Sequence, residues 1–164
     1  MVAAFKSRSA LDLASGLAGQ LVDAVDASDL ARPVLLLPVA LSAERPAERG
    51  VNQARALARR VGTQLGIHAR ADVLRRPIDT PHLADLPPEQ RAARMRGAFG
   101  VTPGQADRLC SRCVALVDDA MPSGATAAEV ARVLLAGGAR ELAVWVVART
   151  RAPAAGRPQA ACGS

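Results

Sequence analysis

Aromatic side chains are scarce in this sequence: tyrosine is absent, and two phenylalanines and one tryptophan make up 2% of the residues. A hydrophobic core must therefore be built from alanine, valine and leucine. The same scarcity counts against a groove that holds single-stranded nucleic acid by stacking bases on aromatic rings. Trp145 lies inside an apolar run, so we predict that it belongs to the core.

Cysteine, histidine and long apolar runs are also few. Three cysteines do not make a disulfide framework, and Cys110 and Cys113 lack the second motif that a four-ligand zinc site needs. His68 and His82 have no ligand spacing, so we assign no metal to protein side chains. No stretch approaches the ~20 apolar residues of a membrane span. With no recognisable signal peptide either, we expect a cytoplasmic protein.

Lysine is nearly missing as well, because Lys6 is the sole lysine among 21 basic residues. The net charge of +6 is therefore almost all arginine, which suits bidentate contacts with phosphate. The arginines are spread out, and a GC-rich coding sequence explains them equally well. The charge thus permits binding of DNA or RNA without predicting it.

The apolar runs have the order and spacing of a single α/β domain. A length of 164 residues suits one core, which we expect within residues 1–150, followed by a flexible tail at 151–164. The sheet should be mainly parallel, with four or five strands and helices on both faces. Strands are predicted at 33–39, 67–74, 114–117 and 142–147, and helices at 9–27, 52–66, 89–95 and 127–136.

The stretch from Val114 to Thr126 carries the strongest functional signal. Asp118 and Asp119 follow its apolar run, and a small-residue turn comes next, made of Ser123, Gly124, Ala125 and Thr126. Backbone N–H groups at such a turn and at a helix N-terminus favour a phosphate. Carboxylates only accept hydrogen bonds, so they suit the hydroxyls of a sugar on that phosphate. The alternative is an ordinary strand–helix turn with two solvated aspartates.

This stretch resembles the phosphoribosyl-pyrophosphate (PRPP) signature of type I phosphoribosyltransferases. The resemblance implies that Asp118 and Asp119 hold the ribose hydroxyls and that the turn from Ser123 to Thr126 holds the 5′-phosphate. Pro122 stands where the signature has a threonine. Because proline supplies neither a hydroxyl nor a backbone N–H, we predict weaker phosphate binding than the full signature would give.

Further segments resemble one subfamily, the ComF- or GntX-like phosphoribosyltransferase-related proteins of bacterial competence and DNA utilisation. The matching segments are PVALS at 38–42, RPAERGVNQA at 45–54, Arg76 with Thr80, and Gly-Ala-Phe at 97–99. The resemblance implies a type I phosphoribosyltransferase-like fold over residues 5–149, without the N-terminal zinc module that such proteins often carry. It also implies Mg²⁺ on the pyrophosphate, with Arg45, Arg49 and Asn52 as candidates for the pyrophosphate side.

Two functions follow from the resemblance. The first is binding of PRPP or a nucleoside 5′-phosphate, with transfer of a phosphoribosyl group to an acceptor that no side chain identifies. Catalysis would then rest mostly on positioning and charge stabilisation, and no catalytic side chain is assigned. The alternative is a catalytically inactive competence accessory protein that binds nucleotide or single-stranded DNA. Competence proteins and a second copy of the chain are further partners that the resemblance allows.

Overall fold

The computed structural model describes residues 16–40, 53–77, 87–121 and 124–149. A helix at 16–26, α1, comes first. The elements that follow, in chain order, are β1 (Leu35–Pro38), α2 (Gln53–Leu65), β2 (His68–Ala69), β3 (Leu74–Arg75), α3 (Pro88–Met95), β4 (Gly100–Val101), a 3₁₀ turn (Ala106–Arg108), β5 (Cys113–Met121), α4 (Ala125–Ala136) and β6 (Glu141–Arg149).

Four of the strands form one parallel sheet in the order β2-β1-β5-β6. Strand β5 lies inside the sheet, with Pro38 of β1 opposite Val117 and Val146 of β6 opposite Asp118. Crossover connections of this kind join parallel strands through helices, which explains the alternation of strand and helix along the chain. The predicted α/β class, with a mainly parallel sheet of four or five strands flanked by helices, is confirmed.

The sheet is covered on both faces, because successive side chains of a strand point to opposite sides. One cluster packs alternate residues of β1 and β5 against α4 and includes Leu35, Leu37, Val114, Leu116, Val130 and Leu134. The other packs against α1 and α2 and includes Leu36, Ala115, Val117, Trp145, Ala18, Leu57 and Val61. Trp145 is 6% exposed, so its predicted place in the core is confirmed.

Helix α2 lies unusually close to the turn that leads into β2. A Cβ atom added to the buried Gly62 would lie 2.5 Å from the carbonyl oxygen of Ile67. The Ile67 N–H in turn donates to the Gly62 carbonyl at 2.8 Å. Ala54 and Ala58, both buried, bring the same helix close to the sheet. These small residues hold α2 and β2 in a fixed relation.

The prediction of one strand at 67–74 is wrong. The structure has β2 at His68–Ala69 in the main sheet and β3 at Leu74–Arg75 in a separate antiparallel pair with β4. The chain changes sheets over the intervening polar residues, since the Arg70 N–H still donates to Leu36 of β1 at 2.9 Å. The Val73 carbonyl already accepts from Thr102, at 2.8 Å. Val101 pairs with Leu74 in this small sheet.

The other elements are found near their predicted places with different bounds. Strand β1 and helix α2 are slightly shorter than predicted, whereas β5 and β6 are longer. Helix α3 confirms the short helix predicted at 89–95, and α4 ends before Gly137 as predicted. Residues 9–15 of the predicted first helix and the tail at 151–164 lie outside the described residues. Within the described ranges, no helix has the length and apolar character that a membrane crossing requires.

We predict that Gly62→Ala lowers the free energy of unfolding by about 1–3 kcal/mol, because the added methyl group meets backbone rather than a movable side chain. Urea unfolding followed by circular dichroism measures the effect. Gly19→Ala in α1 is the matched control, since its new methyl has nothing within 4 Å and alanine favours a helix. Equal effects of the two substitutions would show that the backbone around Ile67 moves to accommodate the added methyl group without loss of stability.

Candidate functional site

The two acids lie at the carboxyl end of β5, in the middle of the sheet. The expectation that they follow the strand is wrong, because β5 runs from Cys113 to Met121 and includes them. The strand is longer than its apolar run because β6 continues to pair with it, placing Val146 opposite Asp118 and Ala148 opposite Ala120. The sheet ladder therefore fixes the backbone that carries the acids.

Asp118 is the perturbed member of the pair. Both acids are half-buried, and a carboxylate oxygen (Oδ1) of Asp118 accepts a hydrogen bond from the backbone N–H of Asp119 at 2.9 Å. Burial raises the pKa of Asp118 from 3.8 to about 7, and the neighbouring Asp119 carboxyl adds to the rise. Near neutral pH, Asp118 is therefore only partly ionised. It can accept hydroxyl hydrogen bonds and attract a cation.

Gly124 places the start of α4 just beyond the acids. Its φ of 69° is in the left-handed region, where glycine carries no Cβ penalty. The Gly124 carbonyl accepts from the Ala128 N–H at 2.9 Å, which closes the first turn of the helix. The first N–H groups of α4 have no partner within the helix and give its N-terminus a positive dipole end. Ala125 and Thr126 are the first residues of α4, so the helix begins two residues earlier than the predicted 127.

The structure thus brings together five of the predicted site residues at one edge of the sheet: Asp118, Asp119, Gly124, Ala125 and Thr126. Only three residues separate the end of β5 from the start of α4. Ser123, Pro122, Arg45, Arg49 and Asn52 lie outside the described residues, so their assigned roles remain predictions.

Glu129 is a residue that the sequence reasoning missed. It lies on α4 with 6% of its surface exposed, and it accepts a hydrogen bond from the backbone N–H of Gly97 at 2.8 Å. Arg132 donates to the same carboxylate at 2.7 and 3.0 Å and holds the pKa of Glu129 below its usual range. The helix that begins at the candidate phosphate turn is thereby tied to the turn between α3 and β4.

The Gly-Ala-Phe triplet at 97–99, which Glu129 contacts through Gly97, is also contacted by Arg76. The guanidinium of Arg76 lies over the Phe99 ring, 5.3 Å from its centre, in the geometry of a cation–π contact. Ala98 and Phe99 are buried in the cluster shared with α4. Residues 77–96 lie between Arg76 and the triplet in the sequence, and this contact brings the two ends of that stretch together.

A curated relative matches most of the chain. Competence protein F of Haemophilus influenzae is 31% identical to it over 127 residues, which are 77% of this chain and 55% of the relative. The chain belongs to the ComF-like family. It spans about half the length of that relative, as the 55% coverage shows. No protein-family model matches the chain.

Two solved structures resemble the ComF-like chain in fold. The allosteric regulatory enzyme of purine biosynthesis is 16% identical, with a TM-score of 0.48 over 82% of this chain and 25% of the enzyme. The protein TT1426 from Thermus thermophilus is 19% identical, with a TM-score of 0.47 over 87% of this chain and 86% of its own. With both TM-scores below 0.5, the two structures add nothing to what the strands themselves show.

Cys110 and Cys113 lie near the start of β5, at the opposite edge of the sheet from the acids. Cys113 is buried at the start of β5, where its thiol donates to a carboxylate oxygen of Glu141 at 3.1 Å, while Cys110 is exposed. A guanidinium nitrogen of Arg140 lies 3.8 Å from the Cys113 sulfur. Over the described ranges, no three side chains among His, Cys, Asp and Glu come close enough to hold a metal.

Asp118 should make the ComF-like fold less stable as the pH rises. The pKa of Asp118 is about 7 in the folded protein, above the value of 3.8 for the unfolded chain. The contribution of Asp118 to the free energy of unfolding is therefore fully present below pH 3.8 and is lost as the pH rises to about 7. We predict that Asp118→Asn removes this loss and stabilises the ligand-free protein at pH 8 by on the order of 2 kcal/mol.

Urea unfolding at pH 5 and pH 8 measures this effect. Asp107→Asn, on the exposed 3₁₀ turn, controls for the removal of a carboxylate. If the parent and Asp118→Asn lose the same stability between the two pH values, burial does not hold the Asp118 proton.

Glu129→Ala should lower the free energy of unfolding by about 2 kcal/mol, because it leaves the Gly97 N–H without its acceptor. Arg132→Ala should cost clearly less than Glu129→Ala, because the Arg132 side chain is 61% exposed and the ion pair is screened by water. Chemical denaturation of both variants decides which contact matters. A larger loss for Arg132→Ala would reverse the ranking of the two contacts.

Proposed function

We propose that the chain is a competence-related, phosphoribosyltransferase-like protein that binds PRPP or a nucleoside 5′-phosphate. The observation that carries the proposal is the half-buried pair Asp118 and Asp119, just before the N-terminus of α4. Ribose hydroxyls would donate to the two carboxyl groups. The 5′-phosphate would meet the N–H groups at the start of the helix, with Gly124 leaving room for it.

Bound PRPP would make phosphoribosyl transfer available to the site. In that reaction the bond between the ribose C1 atom and pyrophosphate breaks, a bond from C1 to the acceptor forms, and pyrophosphate leaves. The carboxylates would fix the sugar and offset positive charge that develops on it, so their contribution would be positioning and electrostatics. Arg45, Arg49 and Asn52 remain our candidates for the departing pyrophosphate.

Mg²⁺ fits the donor set of this proposed site. Magnesium usually keeps several waters and binds through one or two carboxylates together with substrate phosphates. The adjacent acids supply such carboxylates, and the ligand would supply the phosphate oxygens. The ion would neutralise charge on the pyrophosphate. We also propose a cytoplasmic location, with which the free thiols of Cys110 and Cys113 are compatible.

Ligand-induced stabilisation tests the proposal. With Mg²⁺ at pH 8, PRPP or a nucleoside 5′-monophosphate at ~100 times its dissociation constant should add about 2.7 kcal/mol to the free energy of unfolding. The double variant Asp118→Asn/Asp119→Asn should lose this gain, whereas Asp107→Asn should keep it. Ribose 5-phosphate should compete for the same site.

Lowering the pH from 8 to 6 should weaken binding, because Asp118 takes up a proton near pH 7 and loses an acceptor charge. No stabilisation at millimolar ligand, or unchanged binding by the double variant, would show that these acids do not form the ribose site.

A further inference from the structure

One edge of the main sheet is open over the described part of the chain. The sheet ends at β6, which pairs with β5 on one side, and no other described strand runs along its outer side. The outer side of an edge strand presents a row of backbone N–H and C=O groups that can pair with another chain. Strand β6 has nine residues, whereas β2 at the other edge has two. The edge at β6 is therefore the one with room for a further strand.

Strand β6 lacks the features that usually protect such an edge. Natural edge strands carry charges, prolines or bulges that prevent pairing with another chain. The seven residues from Leu142 to Ala148 include no charged residue, no proline and no glycine. The pairing of β6 with β5 keeps one register from Glu141 to Arg149, so no bulge turns the strand away from a partner. The backbone of this edge is therefore ready to extend the sheet.

The two faces of β6 are covered to different extents. Trp145 is buried on the face that packs against α1 and α2. Val144 and Val146 lie on the other face, because side chains alternate along a strand. Val144 is 41% exposed and Val146 is half-buried. A strand added beside β6 would remove apolar surface of these valines from water, which is favourable.

The sequence of β6 is complementary to itself in the antiparallel direction. When two copies are paired about Trp145, Val144 of each copy is opposite Val146 of the other. The same register sets Glu141, at the start of each strand, opposite Arg149, at the end of the other. Aliphatic pairs and pairs of opposite charge both stabilise antiparallel strands. A two-fold axis relates the two copies, so the contact closes as a dimer and does not propagate.

We propose that the partner of this edge is a second copy of the chain, whose β6 pairs antiparallel with β6 about Trp145. The two four-stranded sheets then form one continuous sheet. Backbone hydrogen bonds hold the strands together, and the exposed Val144 of each copy is covered by Val146 of the other. A single strand pair is small beside the ~1,600 Å² of a standard interface, so we expect a dimer that dissociates in the micromolar range.

The dimer leaves each candidate ribose site within one copy. Val146 lies opposite Asp118, so the acids are one strand away from the joined edge. Because the two-fold axis reverses the strand direction, the acids of the two copies lie at opposite ends of the joined sheet. Assembly is measured without any ligand, so this proposal and the proposed function fail separately.

Analytical ultracentrifugation of the full chain at about 1–200 µM tests the proposal, because the dimer fraction depends on concentration. The parent should pass from a monomer of 16.9 kDa to a species of twice that mass. Val144→Lys sets two ammonium groups diagonally across the joined edge and should raise the dissociation constant of the dimer at least ~10-fold. Val34→Lys is the matched control, since Val34 is 55% exposed and precedes β1. It should leave the dissociation constant within about twofold of the parent.

A charge pair tests the register of the two strands. Val146→Glu alone should weaken the dimer as Val144→Lys does, because two carboxylates then lie diagonally across the edge. The double variant Val144→Lys/Val146→Glu should recover the dimer, because each new ammonium group lies directly opposite a new carboxylate of the other copy. Circular dichroism of each variant shows that the fold is kept, and recovery in the double variant cannot come from an unfolded chain.

Four outcomes overturn the proposal. The parent stays monomeric at the highest concentration, or Val144→Lys leaves a dimer intact, or Val34→Lys weakens the dimer equally. The fourth is a double variant that stays monomeric, which excludes pairing about Trp145. If a monomeric parent becomes a dimer once residues 151–164 are removed, the tail of the chain itself occupies the edge in place of a second copy.

Discussion

The pairing of β5 with a parallel strand on each side is the constraint on which the rest of the structure depends. It fixes the register of four residues of β5 against β1 and of eight against β6, and it carries the acids to the middle of the sheet edge rather than to a flank. Because β5 is buried on both faces up to Val117, a slip by one residue would exchange the contents of the two clusters. The location of Asp118 and Asp119 is therefore a consequence of core packing.

A second constraint acts on the helix that follows. Glu129 is a charged group in an apolar setting, where it is tolerated because a backbone N–H and a guanidinium both satisfy it. This single side chain connects α4 to the Gly-Ala-Phe triplet, which packs with the small sheet of β3 and β4. The start of α4 is thus set by β5 on one side and by the small sheet on the other.

Much of this arrangement could be predicted from the sequence, because apolar runs mark buried strands and a 3.6-residue period marks helices. The acids and the turn after them could be found for the same reason, since they follow the apolar run at 114–117. The bounds of β5 could not be predicted, because the apolar run is interrupted by Asp118 and Asp119, and the residues after Val117 belong to the strand only because they pair with β6. The contact between Gly97 and Glu129 joins residues 32 apart, and no local pattern indicates it.

The proton that Asp118 holds near neutral pH couples ligand binding at this edge of the sheet to the pH of the solvent. The hydrogen bond from the Asp119 N–H favours the ionised form of Asp118, but burial outweighs it, so the carboxyl still holds a proton over part of the neutral range. Any ligand or cation that requires both groups ionised must therefore release up to one proton as it binds. The heat of such a titration will depend on the ionisation enthalpy of the buffer that takes up the proton, and the number released will follow from comparing buffers.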